Sequence, residues 1–214
     1  MIQAFRIIED QSRIYSYLAT TSTENAEYIE TLLEETKPLI QWNGYHRLIA
    51  APFRYPLPAA PRYQARFRPP YYNRNLLYCS GNQETALYEH TYHFLRERIH
   101  LKSMREPGQR TIFSLFLHPG DVRDIRTHPN IAAIMNRTNY EESHRYIQNN
   151  PDTKILCYPS CRDPQNRENY AVFEITSLEK NIGKEERLSF YFDAAARSIR
   201  WLDINLLIAW ETVA

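Results

Sequence analysis

The order of helix-like and strand-like segments constrains the fold of this chain more than any other sequence feature. Short apolar runs that are typical of strands cluster in the last third, at residues 188–192, 198–201 and 206–210. Helical patterns interrupt strand patterns in the middle of the chain, without the regular strand–helix alternation of doubly wound folds. The sequence therefore predicts an α+β protein whose sheet core is flanked by helices.

The remaining segments can be assigned from their periodicity and their capping residues. Helices are predicted at 22–37 and 80–98, each opened by a capping-box pattern, and two shorter helices between Pro129 and Asn149. Strands are predicted at 76–79, 111–118, 153–158 and 170–175. Residues 45–55 look extended with a break at Pro52, and the type of the apolar segment 1–20 stays open.

A long acid-free stretch lies in the first half of the chain. No Asp or Glu occurs between Glu35 and Glu84, whereas the same interval holds several tyrosines and six arginines: Arg47, Arg54, Arg62, Arg66, Arg68 and Arg74. A guanidinium group binds a phosphate through two parallel hydrogen bonds, and aromatic rings stack on bases or on nicotinamide. This pattern predicts a site for a phosphorylated aromatic ligand; a proline-rich surface loop with solvated arginines is the alternative.

Composition excludes several classes of protein. The 214 residues carry a net charge of +1, which argues against a generic nucleic-acid binder. Three cysteines do not imply a disulfide framework, and no apolar run approaches the ~20 residues of a membrane helix. Only five glycines occur, and no Gly-rich phosphate loop is present. We therefore expect a single-domain cytoplasmic protein without a signal peptide or a membrane segment.

Two polar residues are candidates for catalysis. Glu89 is predicted in mid-helix among apolar neighbours, where a carboxylate is costly to bury unless it is paired. An arginine from the preceding loop would be a suitable partner, while a solvent-facing glutamate is the usual alternative. Ser160 follows a strand at a constrained turn, which places a hydroxyl at the mouth of a cleft. His90 and His93 lack a second cluster with ligand spacing, so no metal site is predicted.

Several short motifs follow one another in a specific order between residues 45 and 175. They are Phe53-Arg54-Tyr55, Ala65-Arg66-Phe67-Arg68, Leu77-Tyr78-Cys79, TALYEH at 85–90, THP at 127–129 and CYPSCRDPQNRENYAVFE at 157–174. In this order they resemble the RES-domain family, which is named for arginine, glutamate and serine. The chain departs from the family where Ala65-Arg66-Phe67 replaces a Gly-Gly-Arg-Trp type segment, and where Cys161 follows the serine.

The resemblance implies a fold similar to that of ADP-ribosyltransferases, with a mixed or antiparallel sheet. It also implies an NAD+-consuming toxin that is neutralised by a helix-turn-helix (Xre-like) antitoxin, with NAD+ as substrate and no other cofactor. In these terms the chain is one RES-like domain, 1–214. It comprises an N-terminal extension with an acidic helix (1–44), a motif-bearing core (45–175) and closing strands (176–214).

The family's roles can be carried over to individual residues. The resemblance assigns Arg54 to the phosphates or ribose of NAD+, Arg66 to the second arginine position, Tyr78 to the nicotinamide end, Glu89 to the catalytic carboxylate and Ser160 to the nicotinamide ribose. Arg47, Arg68 and Arg74 compete for the arginine roles.

Three functions are compatible with these features. The first is cleavage of the nicotinamide–ribose bond of NAD+ by a glycohydrolase or phosphorylase. The second is transfer of ADP-ribose to a protein target, and the third is a non-catalytic module that binds anions or nucleic acid. The near-neutral charge makes direct nucleic-acid binding the weakest of these. The acceptor of the ADP-ribose and the oligomeric state stay open.

Overall fold

The computed structural model describes residues 1–9, 44–55, 57–58 and 64–214, together with the isolated positions 28, 32, 35 and 38. The helix predicted at 22–37 lies outside the described residues apart from three of those isolated positions. Of the arginines in the acid-free stretch, Arg62 lies outside the described residues, whereas Arg66 lies within them.

Nine strands form one mixed sheet in this part of the chain. The strands are β1 Ile2–Glu9, β2 Leu77–Ser80, β3 Arg105–Leu117, β4 Val122–Asp124, β5 Ile155–Pro159, β6 Glu168–Val172, β7 Glu185–Asp193, β8 Ser198–Trp201 and β9 Leu206–Ala209. Their order across the sheet is β4-β5-β6-β2-β1-β3-β7-β8-β9. Neighbouring strands are antiparallel except β4 and β5, which are parallel.

Five α-helices accompany the sheet within the described ranges, so the predicted α+β class is confirmed. They are α1 Arg47–Ala50, α2 Gln83–Glu97, α3 Ile131–Ile134, α4 Glu141–Asn149 and α5 Trp210–Val213. Single 3-10 turns occur at Ala51–Phe53, Pro119–Asp121 and Ile175–Ser177. Among the helices described here, none has the length and apolar character needed to cross a membrane.

Most strand and helix predictions are confirmed to within a few residues, but the extended segment predicted at 45–55 is wrong. This segment forms helix α1 and the following 3-10 turn. The His46 side chain caps the helix by accepting a hydrogen bond from the Leu48 amide at 3.3 Å. Pro52 then lies in the first turn of the 3-10 helix, where its missing N–H costs nothing. Pro52, which the sequence analysis interpreted as a break in an extended segment, thus lies in the first turn of a 3-10 helix.

The long helix α2 begins slightly later than its capping-box pattern predicts. Asn82, not Ser80, is the N-cap, and its side-chain oxygen accepts a hydrogen bond from the Thr85 amide at 2.9 Å. Asparagine is among the strongest N-cap residues because its short side chain reaches a free amide of the first turn. Ser80 remains in strand β2, so α2 follows the end of this strand almost directly.

Strand β1 determines where the functional site lies. It comes from the segment 1–44, which the family resemblance assigns to an N-terminal extension, yet it runs between β2 and β3 near the middle of the sheet. It pairs with β3 along its whole length, from Ile2 opposite Leu117 to Glu9 opposite Arg110. With β2 it pairs at one position only, Phe5 opposite Ser80. The two strands therefore diverge, and the sheet splits at this point.

Both faces of the sheet carry buried apolar clusters. Ala4 and Leu77 belong to a cluster on one face. Because side chains alternate along strands, their neighbours Phe5 and Tyr78 lie on the opposite face, where they contact two different clusters. The split between β1 and β2 thus lies between two separate cores, which leaves room there for a ligand.

Candidate active site

A cavity of about 380 Å³ lies where β1 and β2 diverge. Residues of both strands, of β5 and β6, of one face of helix α2 and of the segment 64–66 form its walls. Its volume falls in the range of about 300–1,000 Å³ that is usual for small-molecule sites.

Glu89 lies in the wall of the cavity, on helix α2. Its Oε1 accepts hydrogen bonds from Ser160 Oγ at 2.6 Å and from Asn169 Nδ2 at 2.5 Å. Burial raises the pKa of Glu89, and the two hydrogen bonds and the positive charges of Arg162 and Arg66 offset this increase in part. The arginine partner expected for Glu89 is replaced by two neutral donors, so no ion pair holds this carboxylate within the described residues.

Ser160 positions the carboxylate of Glu89 and does not itself line the cavity. The side chain is fully buried, at 0% exposure, in the turn after β5. Besides donating to Glu89, its Oγ accepts hydrogen bonds from the amides of Arg162 at 3.1 Å and Asp163 at 3.0 Å. Two fixed donors thus direct the hydroxyl proton to Glu89. The structure brings the two predicted residues together, although the hydroxyl does not face the mouth of a cleft.

The turn that carries Ser160 is itself connected to helix α2. The buried carboxylate of Asp163 accepts hydrogen bonds from Thr85 Oγ1 at 2.6 Å and Arg167 Nε at 2.5 Å. Arg167 also binds Glu84, in the first turn of α2, at 2.7 Å. These bonds lower the pKa of Asp163 against the effect of its burial. The network fixes the distance between the serine turn and the helix that carries Glu89.

Sequence reasoning missed Asn169. It lies on β6 beside the cavity at 3% exposure, and its Nδ2 donates to Glu89. Its Oδ1 has no hydrogen-bond partner among the described residues. Asn169 lies inside the 157–174 motif, so this motif could have marked it as a candidate site residue. Only the pairing of β6 with β2 shows that this asparagine reaches the glutamate.

Arg66 and Tyr78 line the cavity together, as the family resemblance implies. The Arg66 guanidinium donates to the carbonyl oxygens of Ile134 at 3.2 Å and Asn136 at 2.7 Å. The hydroxyl oxygen of Tyr78 accepts a hydrogen bond from the amide of Phe67 at 3.1 Å. Burial raises the pKa of Tyr78 well above its ordinary value, so the phenol stays neutral. Tyr78 therefore anchors the backbone next to Arg66 and also provides an aromatic wall.

Arg54 does not line the cavity, whereas Arg6, for which the sequence predicted no role, does. Arg54 follows the 3-10 turn after α1, with its guanidinium 5.6 Å from the centre of the Tyr55 ring, and it is not among the described residues that line the cavity. Arg6 on β1 does line the cavity and donates to the carbonyl oxygen of Tyr78 at 3.2 Å. Burial lowers the pKa of Arg6. Sequence reasoning missed Arg6 because it lies in the segment whose type stayed open.

The other competing arginines lie outside the cavity wall. Arg74 donates to the Glu174 carboxylate at 3.0 Å and to the Pro151 carbonyl at 2.7 Å, which is a structural role. Arg47 and Arg68 are likewise absent from the lining. Of the arginines in the acid-free stretch that the structure describes, only Arg66 reaches the site.

A family model that describes the RES domain matches this chain. The match covers residues 40–193, well over half of the chain. The chain belongs to the RES-domain family. No curated protein matches it. The RES match contains Glu89, Ser160 and Asn169, whereas β1 and its Arg6 precede the matched range.

The charge of the cavity favours an anionic ligand with one cationic or electron-poor part. Among the described lining residues of this RES domain, Glu89 is the single carboxylate, and four arginines line the cavity: Arg6, Arg66, Arg96 and Arg162. His90 accepts a hydrogen bond from Arg110 at 3.1 Å, and burial lowers its pKa to about 3, so it is neutral at pH 7. In the described part of the chain no group of three or more His, Cys, Asp or Glu is arranged to hold a metal ion.

Proposed function

We propose that this RES-domain protein cleaves the nicotinamide–ribose bond of NAD+, as a glycohydrolase or phosphorylase, and acts as the toxin of a toxin–antitoxin pair. The observation that carries the proposal is the position of Glu89: one hydrogen-bonded carboxylate in a cavity lined by four arginines. NAD+ combines a cationic nicotinamide–ribose unit with a pyrophosphate, and this charge distribution complements the cavity.

The chemistry follows from the charge that develops on the ribose. When the glycosidic C–N bond breaks, its electron pair leaves with nicotinamide, and positive charge develops at the ribose carbon. A carboxylate stabilises such a charge, as in glycoside hydrolysis. Ser160 and Asn169 both bind Oε1 of Glu89, which leaves Oε2 for the substrate. Water then adds to the ribose carbon and loses a proton to give ADP-ribose, or phosphate adds to give a phosphorylated ADP-ribose.

The remaining walls would orient the substrate. Arg66 and Arg6 are suited to the phosphate oxygens, because guanidinium groups form charge-assisted hydrogen bonds with them. We assign the first arginine role to Arg6 in place of Arg54, since Arg6 lines the cavity and Arg54 does not. Tyr78 offers a ring against which nicotinamide packs.

Membership of the RES-domain family supports three further parts of the proposal. The fold would resemble that of ADP-ribosyltransferases, and the cavity between diverging strands of a mixed sheet is compatible with this. A helix-turn-helix antitoxin would neutralise the protein. The site of action would be the cytoplasm, where NAD+ is available.

The test is loss of NAD+ in the presence of the purified, antitoxin-free protein, followed by chromatography with and without phosphate. We expect nicotinamide release by the wild type, a loss of at least about 100-fold in Arg6→Gln and Glu89→Gln, and little change in the matched variant Arg54→Gln. The dependence on phosphate identifies the acceptor.

Other outcomes would favour the alternatives. Labelled ADP-ribose attached to protein would identify a transferase. Intact NAD+ together with salt-sensitive oligonucleotide binding would identify a binding module. A folded protein that leaves NAD+ intact contradicts the proposed reaction. If Arg54→Gln were inactive and Arg6→Gln active, the reaction would stand but our arginine assignment would be wrong.

A further inference from the structure

One face of helix α2 lines the cavity over almost three turns. The face contains Ala86, Glu89, His93 and Arg96, at helical spacings of three, four and three residues. With a rise of about 1.5 Å per residue, this wall is about 15 Å long. The cavity is therefore elongated along the helix, as expected for a ligand longer than a nucleoside.

Glu89 lies near one end of this wall, and Arg96 lies at the other end. The two residues are seven positions apart, which corresponds to about 10 Å along the helix. Cleavage at the ribose requires the carboxylate only. The wall beyond it, with His93 and Arg96, is not used by the bond-breaking step. In a nucleotide the phosphates follow the ribose, so they would extend along this part of the wall.

Arg96 has the contacts of a ligand-binding arginine. Its exposed side chain makes no hydrogen bond or ion pair with any residue that the structure describes, and its guanidinium lies 5.5 Å from the centre of the Tyr92 ring. The Tyr92 ring is in turn fixed: it stacks on Trp210 at 5.7 Å and on the guanidinium of Arg162 at 3.5 Å. Arg96 thus stands beside a rigid aromatic platform with its N–H donors available.

We propose that Arg96, assisted by the His93 ring next to Tyr92, forms a phosphate subsite for the pyrophosphate of a dinucleotide substrate. The identity of the dinucleotide rests on the proposed function. The subsite explains how the protein would distinguish NAD+ from nicotinamide riboside, which has the same scissile bond but no phosphate. It also places the substrate's long axis parallel to α2, with the scissile bond at Glu89.

The experiment measures binding without turnover. Calorimetry with the Glu89→Gln protein compares NAD+ with nicotinamide riboside, in the otherwise unchanged protein and after adding Arg96→Ala, Arg96→Lys or Arg98→Ala. Arg98 is the matched control, because it is an arginine at the same helix end that stacks on Phe94 outside the cavity. We expect Arg96→Ala to weaken NAD+ binding about tenfold, with partial recovery in Arg96→Lys, since lysine keeps the charge but loses the planar fork. Arg98→Ala and the riboside should show little change.

Inorganic pyrophosphate, titrated into the otherwise wild-type protein and its Arg96→Ala variant, separates this inference from the proposed function. If pyrophosphate binding depends on Arg96 while NAD+ is not cleaved, the subsite stands and the proposed reaction fails. If NAD+ is cleaved but neither NAD+ nor pyrophosphate binding changes in Arg96→Ala, the subsite is refuted and the reaction stands. Equal weakening for NAD+ and the riboside would also refute a phosphate subsite.

Discussion

The hydroxyl of Ser160 donates a 2.6 Å hydrogen bond to Oε1 of Glu89 and joins residues that lie 71 positions apart in the chain. Two backbone amides, those of Arg162 and Asp163, orient the serine by donating hydrogen bonds to its Oγ. A hydroxyl that accepts two N–H bonds has its proton directed toward a third partner, which here is the carboxylate. In the proposed reaction Ser160 would therefore act through Glu89, as a positioning residue.

Ser160→Ala should destabilise the protein and alter the titration of Glu89. The change leaves the two buried amides without their acceptor and Glu89 Oε1 with one donor fewer, and each unsatisfied buried group costs about 1–3 kcal/mol. Loss of the hydrogen bond also raises the pKa of Glu89 further. We expect a lower midpoint in urea denaturation and an acidic limb of the rate–pH profile that moves to higher pH.

Ser114→Ala is the matched control for this prediction. Ser114 is equally buried, on β3, but its hydroxyl has no hydrogen-bond partner among the described residues. Its loss should change stability by less than that of Ser160 and leave the pH profile unmoved. Equal effects of the two substitutions would show that Ser160 contributes only by filling space.

Glu89→Gln should abolish NAD+ cleavage while stabilising the folded protein at neutral pH. The pKa of Glu89 is higher in the folded than in the unfolded state, because burial disfavours its charged form. Its contribution to stability is therefore fully present below the unfolded pKa and is lost as pH rises through the folded pKa. Glutamine carries no charge to bury, and its side-chain oxygen can still accept hydrogen bonds from Ser160 and Asn169.

The measurement is the difference in unfolding free energy between Glu89→Gln and the wild type from pH 4 to pH 8. We expect the difference to grow in favour of glutamine as pH rises. Glu84→Gln serves as control: Glu84 lies on the same helix but forms an ion pair with Arg167 at 2.7 Å, so this substitution should not stabilise the fold. A wild type that gains stability over Glu89→Gln with rising pH would contradict the raised pKa.

The sequence predicts the fold class, and the family resemblance assigns Glu89 and Ser160 to one site, but neither predicts the wall opposite them. The helix and the strands near these residues have strong local signals, namely capping residues and β-branched or aromatic runs. Arg6 has no such signal. It lies on a central strand whose apolar segment has no clear period, and a central strand with both faces buried does not alternate in polarity.

Long-range contacts explain the remaining differences. The acid-free stretch predicts an anion site and contributes Arg66 to the cavity wall, yet another of its described arginines, Arg74, binds a glutamate 100 residues away. Asn169 becomes a partner of Glu89 only because β6 pairs with β2. Local sequence patterns identify candidate polar and aromatic residues, whereas the order of the strands in the sheet determines which of these residues come into contact.

Tyr78→Phe should weaken substrate binding more than it slows the chemical step. The ring remains, but the amide of Phe67 loses the acceptor that it contacts at 3.1 Å, at a cost of about 1–2 kcal/mol. This amide is adjacent to Arg66, so the arginine would be held less firmly. We expect a KM for NAD+ that rises several-fold with kcat within about twofold. The exposed Tyr191→Phe should leave both constants unchanged, and a loss confined to kcat would assign Tyr78 to the chemical step.

Arg162→Lys should destabilise the cavity wall although it conserves charge. Arg162 is 4% exposed, stacks on the Tyr92 ring at 3.5 Å and donates to the carbonyl oxygens of Val213 at 2.9 Å and Arg137 at 3.3 Å. Lysine has neither the planar face nor the fork that serves two carbonyls, and a buried ammonium with fewer partners costs about 2–4 kcal/mol.

Thermal unfolding and steady-state kinetics of Arg162→Lys measure both consequences. We expect a lower Tm and a raised KM, because Tyr92 lines the cavity and helix α5 loses its connection to the serine turn. Arg200→Lys on the exposed face of β8 conserves charge in the same way and should change neither quantity. If Arg162→Lys lowered Tm but left KM intact, the C-terminal helix would stabilise the fold without shaping the substrate site.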